Sequence, residues 1–587
     1  MSPRTSSGRT LWSGARRSGW HREAACLAPL LVIVAALYAS VRRVPWYQDD
    51  FAAIVWNPAS RSVRLALDGV FGPRGIATLS FALDHALLGG GAAGAHTVNV
   101  AIHLANCVVV YALLRHLLPG SRLLPLAGSL LFGVHPLQTQ AVTLAVQRMT
   151  TLSASFFLVS LLLFFRARDL SAAGVPFRAA RHLAAYGSSL LFAAAAVLTK
   201  QNTIVFPAVF LVGDSILRRP GGDELRARLR YLAPFFMLAI ALALRELLPR
   251  LAAGTGGHFI DSSLDPFVVG YGGPGEPLRD PTPFRYFVTE LSVLWTYLRL
   301  LVVPWGQSIE HGYPLVARTL CVRNAIAALG VIGLVATSIL ARRRLPLLSF
   351  GIALFLLGLS VESSVIPLDT LVEHRLYLPM LGIVLVCLEG LRRVLGSKLK
   401  VVTIAVVALP LALLTWRRNE LWTRPVDFFE DALDTYPENP RLWVFLADTL
   451  QERGELARAK AALERALALQ PRFPVAMVDL ARVEEKDGRY VEAEALYRRT
   501  LSVVPDFAAA HRGLGANLLW QRRPEEARDA FAAAARMNPR DLRSLYYEAV
   551  LSAQLGDRAR GDRLAAMIEA LDPEMGDLVR EMIGHRR

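Results

Sequence analysis

Long apolar stretches recur along the first 416 residues of the chain, separated by short polar connections. About 20 mostly apolar residues in a helix are enough to cross the ~30 Å hydrocarbon layer of a bilayer. The pattern therefore predicts a polytopic membrane bundle of about eleven helices. These are residues 24–41, 98–118, 123–137, 150–166, 184–199, 203–217, 230–249, 324–341, 345–366, 376–391 and 400–416.

Basic residues are concentrated in alternate connections between these stretches, at 166–181, 218–230, 342–344 and 392–400. Cytoplasmic loops carry the excess of Lys and Arg, so these connections are predicted to be cytoplasmic. The N-terminal residues 1–23 are predicted to be on the same side. Because no persuasive cleavage site follows the first apolar stretch, it is typical of an uncleaved signal anchor.

The opposite, outer side then receives two long loops, 42–97 and 250–323, and everything after residue 416. Within the second loop, the amphipathic stretch 285–304 is predicted to lie along the membrane interface instead of crossing it. The membrane domain as a whole is predicted to span 24–416.

The C-terminal part repeats with a period of 34 residues, which is the period of tetratricopeptide repeats. Small residues and turn glycines keep the same register as the prolines. The recurring positions are Pro471, Pro505, Pro539 and Pro573; Ala459, Ala493 and Ala527; and Gly454, Gly488 and Gly556. The pattern predicts four stacked repeats over 440–576, preceded by a capping helix and linker at 417–439 and followed by a tail at 577–587. The predicted fold class is therefore all-α, a membrane helical bundle joined to an α-solenoid.

Composition narrows the possible functions. The hydrophobic fraction of 53% exceeds that of soluble domains. The net charge of +16 comes mainly from the connections, and no basic helix interleaved with aromatic residues is present, which argues against a nucleic-acid partner. The four cysteines have no paired spacing, and no His/Cys cluster predicts a metal site.

Two adjacent acids, Asp49 and Asp50, follow the first apolar stretch on the predicted outer side. Like charges repel, so one of the two is predicted to bind its proton more tightly than a free aspartate. A carboxylate at this place can deprotonate a hydroxyl nucleophile as a general base. The alternative is an ordinary solvated pair of loop acids.

Three further polar clusters interrupt the apolar stretches near the same predicted face. They are "LFGVHPLQTQAVTLAVQR" with His135 and Arg148, "LTKQNTIVFP" with Lys200, and "VESSVIPLDTLVEHRLYLP" with Glu362, His374 and Arg375. Arginine binds phosphate in a bidentate manner and lysine binds it as a point charge. The alternatives are structural hydrogen bonds, lipid-headgroup contacts and surface ion pairs. A fourth group, Asn99, His103 and Asn106, shares one face of the second stretch, where packing between helices is the simpler explanation.

The motifs "QDDFAAIVWNP", "VHPLQTQAVTLAVQR", "LTKQNTIVFP" and "ESSVIPLDTLVEHRLYLP", in this order and followed by the repeats, resemble those of a known family. The chain resembles the transmembrane and tetratricopeptide-repeat O-mannosyltransferases and their bacterial relatives, which are multi-span glycosyltransferases of the GT-C fold. Two positions depart from that pattern: Gln140 stands where an acid is common, and Gln201 follows the lysine.

The resemblance implies an enzyme that takes a mannose-like hexose from a polyprenyl-phosphate carrier and attaches it, with inversion, to Ser or Thr hydroxyls of outer-face proteins. It implies Asp49 as the base, with Asp50 holding the acceptor or tuning its neighbour. The remaining implied roles are donor-phosphate binding by Arg375, Arg148 and Lys200, and orientation by His135, His374 and Glu362. The repeats would bind the acceptor polypeptide or a partner. The lipid-linked sugar is a substrate, no other cofactor is implied with certainty, and a divalent-metal requirement stays open.

The implied location is the inner (plasma) membrane of a bacterium, with the repeats on the periplasmic side. Two other classes of protein compete with the enzyme. One is a membrane-anchored tetratricopeptide scaffold without catalysis, although eleven spans with interior polar groups exceed what an anchor needs. The other is a transporter or lipid flippase, which calls for polar helix breaks near mid-membrane and has no use for a large outer repeat array.

Overall fold

The computed structural model describes residues 17–218, 224–252, 282–316, 319, 321–366, 368–394, 396–539 and 541–584. Parts of the predicted N-terminus (1–16), of the second outer loop (253–281) and of the tail (585–587) lie outside the described residues. Every regular element within the described residues is a helix, which confirms the all-α class. The chain divides into two compact units. Among the described residues, the first comprises those up to 252, 282–309 and those within 315–424, and the second comprises 310–314 and those from 425 onward.

The first unit contains fifteen α-helices in the described part of the chain. They are α1 (Arg17–Leu37), α2 (Val63–Asp68), α3 (Gly75–Leu88), α4 (Ala92–Leu117), α5 (Leu123–Val134), α6 (Gln138–Thr143), α7 (Arg148–Ala172), α8 (Ala180–Thr199), α9 (Phe206–Leu217), α10 (Glu224–Ala252), α11 (Pro283–Val302), α12 (Val322–Ala341), α13 (Pro346–Leu359), α14 (Met380–Val394) and α15 (Ser397–Trp422).

Seven helical stretches among the described residues are long and apolar enough to cross a membrane. They are Glu23–Arg43, Ala92–Leu117, Ala145–Ala172, Ala180–Thr199, Arg226–Leu248, Val322–Ala341 and Lys398–Trp422. The chain is therefore a multi-pass membrane protein.

The count of about eleven spans is not confirmed, although each predicted span coincides with a helix. Three predicted spans are shorter apolar helices, α5, α9 and α13, and a fourth is the 15-residue α14. Helix α3, in the predicted outer loop, is also short and apolar.

The polar face of α4 is buried, and its side chains bind neighbouring segments. Asn99 Nδ2 donates to the carbonyls of Val142 and Ala145, at 3.2 and 3.1 Å. His103 and Asn106 both contact the Tyr377 hydroxyl, at 2.8 and 3.0 Å. Because an unsatisfied polar group costs several kcal/mol in hydrocarbon, these bonds fix how α4 packs.

The second unit is an array of helix pairs. Its helices are α16 (Pro425–Thr435), α17 (Pro440–Glu452), α18 (Leu456–Leu469), α19 (Pro474–Lys486), α20 (Tyr490–Val503), α21 (Ala508–Trp520), α22 (Pro524–Met537), α23 (Leu542–Gln554), α24 (Arg558–Leu571) and α25 (Pro573–Met582). The in-register alanines Ala459, Ala493 and Ala527 are fully buried, as expected where two helices of a repeat cross closely.

The turns inside the helix pairs show why glycine recurs there. Gly454, Gly488 and Gly556 have φ of +77°, +79° and +96°, a region that favours glycine. The same turn in the remaining pair is occupied by Arg522, which adopts φ +61°. Residues 310–314 also pack in this unit, where His311 Nδ1 lies 2.9 Å from the Tyr436 hydroxyl.

Candidate functional site

The two adjacent acids have opposite environments. Asp49 is exposed, whereas Asp50 is fully buried. The Asp50 carboxylate accepts hydrogen bonds from the backbone N–H of Tyr47 at 3.0 Å and of Val146 at 2.6 Å. Asp50 therefore ties the predicted first outer loop, 42–97, to the turn that precedes α7.

Burial raises the pKa of Asp50 to about 7, because the charged carboxylate loses its hydration. The hydrogen bonds from Tyr47 and Val146 oppose this rise, and the neighbouring charge of Asp49 adds to it. The raised proton affinity predicted for one member of the pair is therefore present, but burial is a larger cause than the repulsion on which the prediction relied.

Tyr47 fixes the same loop to the end of α15. Its hydroxyl donates to the Trp422 carbonyl at 2.8 Å, and the two rings lie edge to face at 5.0 Å. Together with the bonds of Asp50, this contact holds the loop from both sides.

Three predicted site residues from distant parts of the chain form one buried cluster. Lys200 Nζ lies 3.1 Å from Glu362 Oε1, and Arg375 Nε lies 4.0 Å from the same oxygen. Asn202 Nδ2 donates to the other oxygen, Oε2, at 3.1 Å. Burial pushes the pKa of Glu362 up, but Lys200 and Arg375 outweigh it, so the net direction is down and the carboxylate stays charged.

The ends of helices supply these side chains. Lys200 directly follows α8, Glu362 follows α13, and Arg375 lies in the short helical turn Glu373–Leu376 that precedes α14. A narrow cleft, lined by Thr150, Asn202 and Arg375 among others, opens beside the cluster.

The first turn of α7 connects this cluster with the acid pair. Lys200 Nζ donates to Thr150 Oγ1 at 3.1 Å, and Thr150 donates to Gln147 Oε1 at 2.8 Å. Gln147 adjoins Val146, whose N–H binds Asp50. Asp50, Lys200, Glu362 and Arg375 thus belong to one continuous set of contacts.

The two predicted histidines are both neutral. His135 Nδ1 accepts from the Leu137 N–H at 3.3 Å, so Nε2 carries the proton and donates to the Leu301 carbonyl at 3.1 Å. Burial lowers the pKa of His135 to about 4. Burial also lowers the pKa of His374, and the charges of Lys200 and Arg375 lower it further.

Gln140 holds the turn that carries His374 and Arg375. Its Oε1 accepts from the His374 N–H at 2.8 Å, and its Nε2 donates to the Ile309 carbonyl at 3.1 Å. An acid at this position, as in the family pattern, could accept the first bond but could not donate the second while ionised.

Arg148 lies apart from these contacts. Its guanidinium is fully buried, pairs with Asp84 at 2.5 Å and stacks over the Phe81 ring at 4.3 Å. Nε donates to Asn99 Oδ1 at 2.7 Å, and Nη2 donates to the Ala95 carbonyl at 2.8 Å. Its role at the donor phosphate stays a prediction, and these contacts favour a structural one.

Two residues near the site, Glu290 and Arg74, were not predicted from the sequence. Glu290 of α11 is buried, and burial raises its pKa to about 7, while the charge of Arg375 opposes the rise. The sequence could have indicated Glu290, because it is the only acidic residue in the amphipathic helix α11. Arg74 precedes α3 with φ +58°, and its charge lowers the pKa of both Lys200 and His374. Among the described residues, no group of three or more His, Cys, Asp or Glu could hold a metal ion.

Comparison with known proteins first identifies the repeats. A tetratricopeptide-repeat family model matches residues 426–476, 451–518 and 484–550. Solved structures with similar helices include YrrB, described as a TPR protein with an unusual peptide-binding site, at 20% identity, with a TM-score of 0.24, over 27% of this chain and 84% of YrrB. Another is TTC0263, a thermophilic TPR protein from Thermus thermophilus, at 17% identity, with a TM-score of 0.24, over 32% of this chain and 96% of that one.

Curated relatives extend the similarity into the membrane unit. Human protein O-mannosyl-transferase TMTC1 is 24% identical over 506 residues, 78% of this chain and 56% of that protein. Human TMTC3 is 24% identical over 66% of this chain and 43% of its own length. Drosophila melanogaster Tmtc2 is 30% identical over 48% of this chain and 28% of that protein. The chain spans roughly half or less of the length of these relatives.

The fold and the comparisons together define a multi-pass membrane protein that carries a tetratricopeptide-repeat array. The chain is a relative of the TMTC protein O-mannosyl-transferases, which confirms the resemblance found in its motifs.

Proposed function

We propose that the protein is an inverting glycosyltransferase of the GT-C type. It transfers a mannose-like hexose from a polyprenyl phosphate to Ser or Thr hydroxyls of proteins on the outer face of the membrane. The names of the TMTC relatives support this activity. The observation that carries the proposal is the buried cluster of Lys200, Glu362 and Arg375, at the ends of apolar helices.

The charge of this cluster suits the donor. Two cations face one ionised carboxylate, which leaves one net positive charge in a buried place. The phosphodiester of a lipid-linked sugar carries one negative charge. As the sugar departs, the phosphate gains a second charge, and Lys200 and Arg375 stabilise it there because preorganised cations act strongly in a water-poor site. Arg74 supplies a third cation close by.

The two adjacent acids have different roles at the acceptor hydroxyl. Asp49 is exposed and takes the proton from the incoming hydroxyl as the general base. Asp50, held by Tyr47 and Val146, positions the loop that carries Asp49. The hydroxyl oxygen attacks the anomeric carbon, the bond from that carbon to the phosphate oxygen breaks, and the configuration inverts. The tetratricopeptide repeats bind the acceptor or a partner, and the protein resides in the inner membrane with the repeats outside.

The test is transfer of mannose from polyprenyl-phosphate mannose to outer-face proteins, in membranes that contain the full chain. Asp49→Asn is expected to abolish transfer, and Lys200→Gln and Arg375→Gln are expected to reduce it strongly. Asp68→Asn is the matched control, because Asp68 is an exposed acid on the same outer loop. Transfer that persists in Asp49→Asn contradicts the assigned base, and the absence of any glycan transfer by the wild type contradicts the function.

The second candidate is a membrane scaffold without catalysis, and the matched repeats favour it. If the protein is only a scaffold, deletion of its gene leaves hexose on outer-face proteins unchanged, as judged by mass spectrometry. Loss of hexose together with retained partner binding in Asp49→Asn favours the enzyme.

A further inference from the structure

A second cavity is lined in part by the acid-bearing loop. It has a volume of about 150 Å³ and opens between residues 46–61 and the turn that joins α3 to α4. Trp46 and Phe81 supply aromatic walls. The acid pair and the Lys200–Arg375 cluster do not line it.

The polar side of this cavity is built around Asp84. The Asp84 carboxylate is fixed by its 2.5 Å pair with the buried Arg148. Since that cation already neutralises the acid, the pair offers hydrogen-bond acceptors without a net charge. Arg61 and His85, which also line the cavity, add hydrogen-bond donors.

Glycines form the remaining rim and keep it open. At Gly90 a Cβ atom would lie 2.1 Å from His85 Nδ1, so only glycine leaves His85 in its place. At Gly91, which also lines the cavity, a Cβ atom would meet nothing within 4 Å. A side chain added at Gly91 therefore has open space at the cavity wall and meets no protein atom at its first carbon.

We propose that this cavity binds one neutral hexose ring. Its volume equals that of an engineered protein cavity that holds benzene, so the six-membered ring of the sugar fits inside while its hydroxyl groups extend to the open rim. The C–H face of a pyranose packs against indole and phenyl rings, and its hydroxyls donate to Asp84 and accept from Arg61 and His85. A lysine or arginine side chain of an acceptor finds no unpaired anion there, because Asp84 is already paired with Arg148.

The assignment of a role to this hexose rests on the proposed function. Trp46 and Val55, which line the cavity, flank the acid pair on the same loop. The ring then belongs either to the lipid-linked donor or to a sugar already present on the acceptor. Both sources share the chemistry of the site, and Arg148 acts here as a positioning residue for Asp84.

The test is saturation-transfer NMR with methyl α-D-mannopyranoside on the full-length protein in lipid nanodiscs. Gly91→Leu is expected to abolish the ligand signal, because it adds a bulky side chain to a lining residue whose Cβ atom meets no protein atom within 4 Å. Gly396→Leu is the matched control. Both glycines are extended N-cap residues of long apolar helices, with φ/ψ of −82°/156° and −70°/166°, and a Cβ atom at either meets nothing within 4 Å. Both variants thus lose a glycine N-cap in the same way.

A milder variant, His85→Ala, removes an exposed rim donor and is expected to weaken the signal without affecting folding. An undiminished signal in both Gly91→Leu and His85→Ala overturns the proposal. Absence of any signal from the wild type also overturns it. If the bound ring belongs to the donor, Gly91→Leu raises the KM for polyprenyl-phosphate mannose. If it belongs to the acceptor, Gly91→Leu raises only the KM for a mannosylated peptide. If neither KM changes, the proposed role is wrong.

The result of the hexose-binding experiment can be distinguished from the result of the mannose-transfer assay. Arg375→Gln is expected to reduce transfer strongly, but Arg375 does not line this cavity, so methyl mannoside is expected to bind to the variant as to the wild type. Hexose binding without any transfer supports the cavity and contradicts the proposed function. Transfer by the wild type without hexose binding contradicts the cavity alone.

Discussion

The side chain of Asp50 combines a buried carboxylate with two backbone hydrogen bonds. Its pKa is raised from 3.8 to about 7, so between these values the folded chain holds a proton that the unfolded chain releases. Stability therefore falls as the pH rises through this window, because the folded state binds more protons than the unfolded state. Above about pH 7 this contribution is fully lost.

We expect the melting temperature of the wild-type chain to fall more steeply between pH 4 and pH 7 than that of Asp50→Asn, since asparagine does not titrate. The measurement is thermal unfolding of the full chain in detergent over this range. Asp68→Asn, which changes an exposed acid on the same predicted outer loop, should keep the wild-type slope. Equal slopes for the wild type and Asp50→Asn would show that Asp50 is ionised throughout the range.

The Arg148–Asp84 pair gives the second prediction at the residue scale. Arg148→Met leaves the Asp84 carboxylate without its partner, and breaking a buried pair in this way costs about 3–5 kcal/mol. The double variant Asp84→Asn with Arg148→Met removes both charges and should regain most of that loss.

The measurement is a double-mutant cycle in unfolding free energy, with the KM for the lipid-linked donor determined for each variant that folds. If Arg148 is structural, its replacement changes the unfolding free energy, and the donor KM of the double variant equals that of Asp84→Asn alone. A raised donor KM with little loss of stability would instead support the phosphate-binding role predicted from the sequence.

At the scale of elements, the repeat turns differ in one residue. Gly454, Gly488 and Gly556 adopt positive φ at little cost, whereas Arg522 adopts φ +61° with a Cβ atom in place. An L-residue in this conformation costs roughly 1–2 kcal/mol. The turn between α21 and α22 is therefore strained relative to its three counterparts.

Arg522→Gly is expected to stabilise this helix pair by about 1 kcal/mol. Slower amide hydrogen exchange in α21 and α22 of the full-length protein would report the gain. The control Arg528→Gly, in the middle of α22, should accelerate exchange, because glycine inside a helix costs about 1 kcal/mol. No change in exchange at Arg522→Gly would mean that the arginine forms compensating contacts.

The sequence predicted the presence of the helices more accurately than it predicted the residues at which they begin and end. The 34-residue period fixed the repeat register, and every predicted apolar stretch coincides with a helix. The predicted span 345–366 was too long, since α13 ends at Leu359 where Ser360 and Glu362 begin a polar turn. The predicted span 376–391 was displaced, because Pro379 delays the start of α14 to Met380.

The candidate site was predictable only in its parts. Asp49, Lys200, Glu362 and Arg375 were recognisable as polar groups at helix ends, but their partners lie far away along the chain. Lys200 and Glu362 are 162 residues apart, and Asp50 binds a backbone N–H 96 residues away. Periodicity reports which face of a helix is apolar, and it carries no signal for which distant turn a buried charge will meet.

At the scale of the whole molecule, the membrane unit has large exposed apolar surfaces, whose contact with water would be unfavourable. Helix α12 exposes Val322, Ile326 and Leu340 by 76%, 64% and 81%. An apolar surface of this kind on one helix marks contact with lipid. The polar cluster of Lys200, Glu362 and Arg375 is buried away from these faces, so the membrane orientation decides which aqueous side it can reach.

The alternation of basic connections predicts that orientation, and single-cysteine labelling tests it. In a background where Cys26, Cys107 and Cys387 are replaced by serine, a membrane-impermeant maleimide added outside the cell is expected to label Cys321. With Cys321 also replaced by serine, it is expected to label Val365→Cys and Ser502→Cys. The exposed positions Ser171→Cys and Arg343→Cys, in basic connections, should react only after permeabilisation. Val365 lies between α13 and α14, so its labelling also reports whether these short helices reach the outer face. Labelling of Ser171→Cys or Arg343→Cys from outside, with Val365→Cys protected, would put Glu362 and Arg375 on the cytoplasmic side and exclude transfer to outer-face proteins.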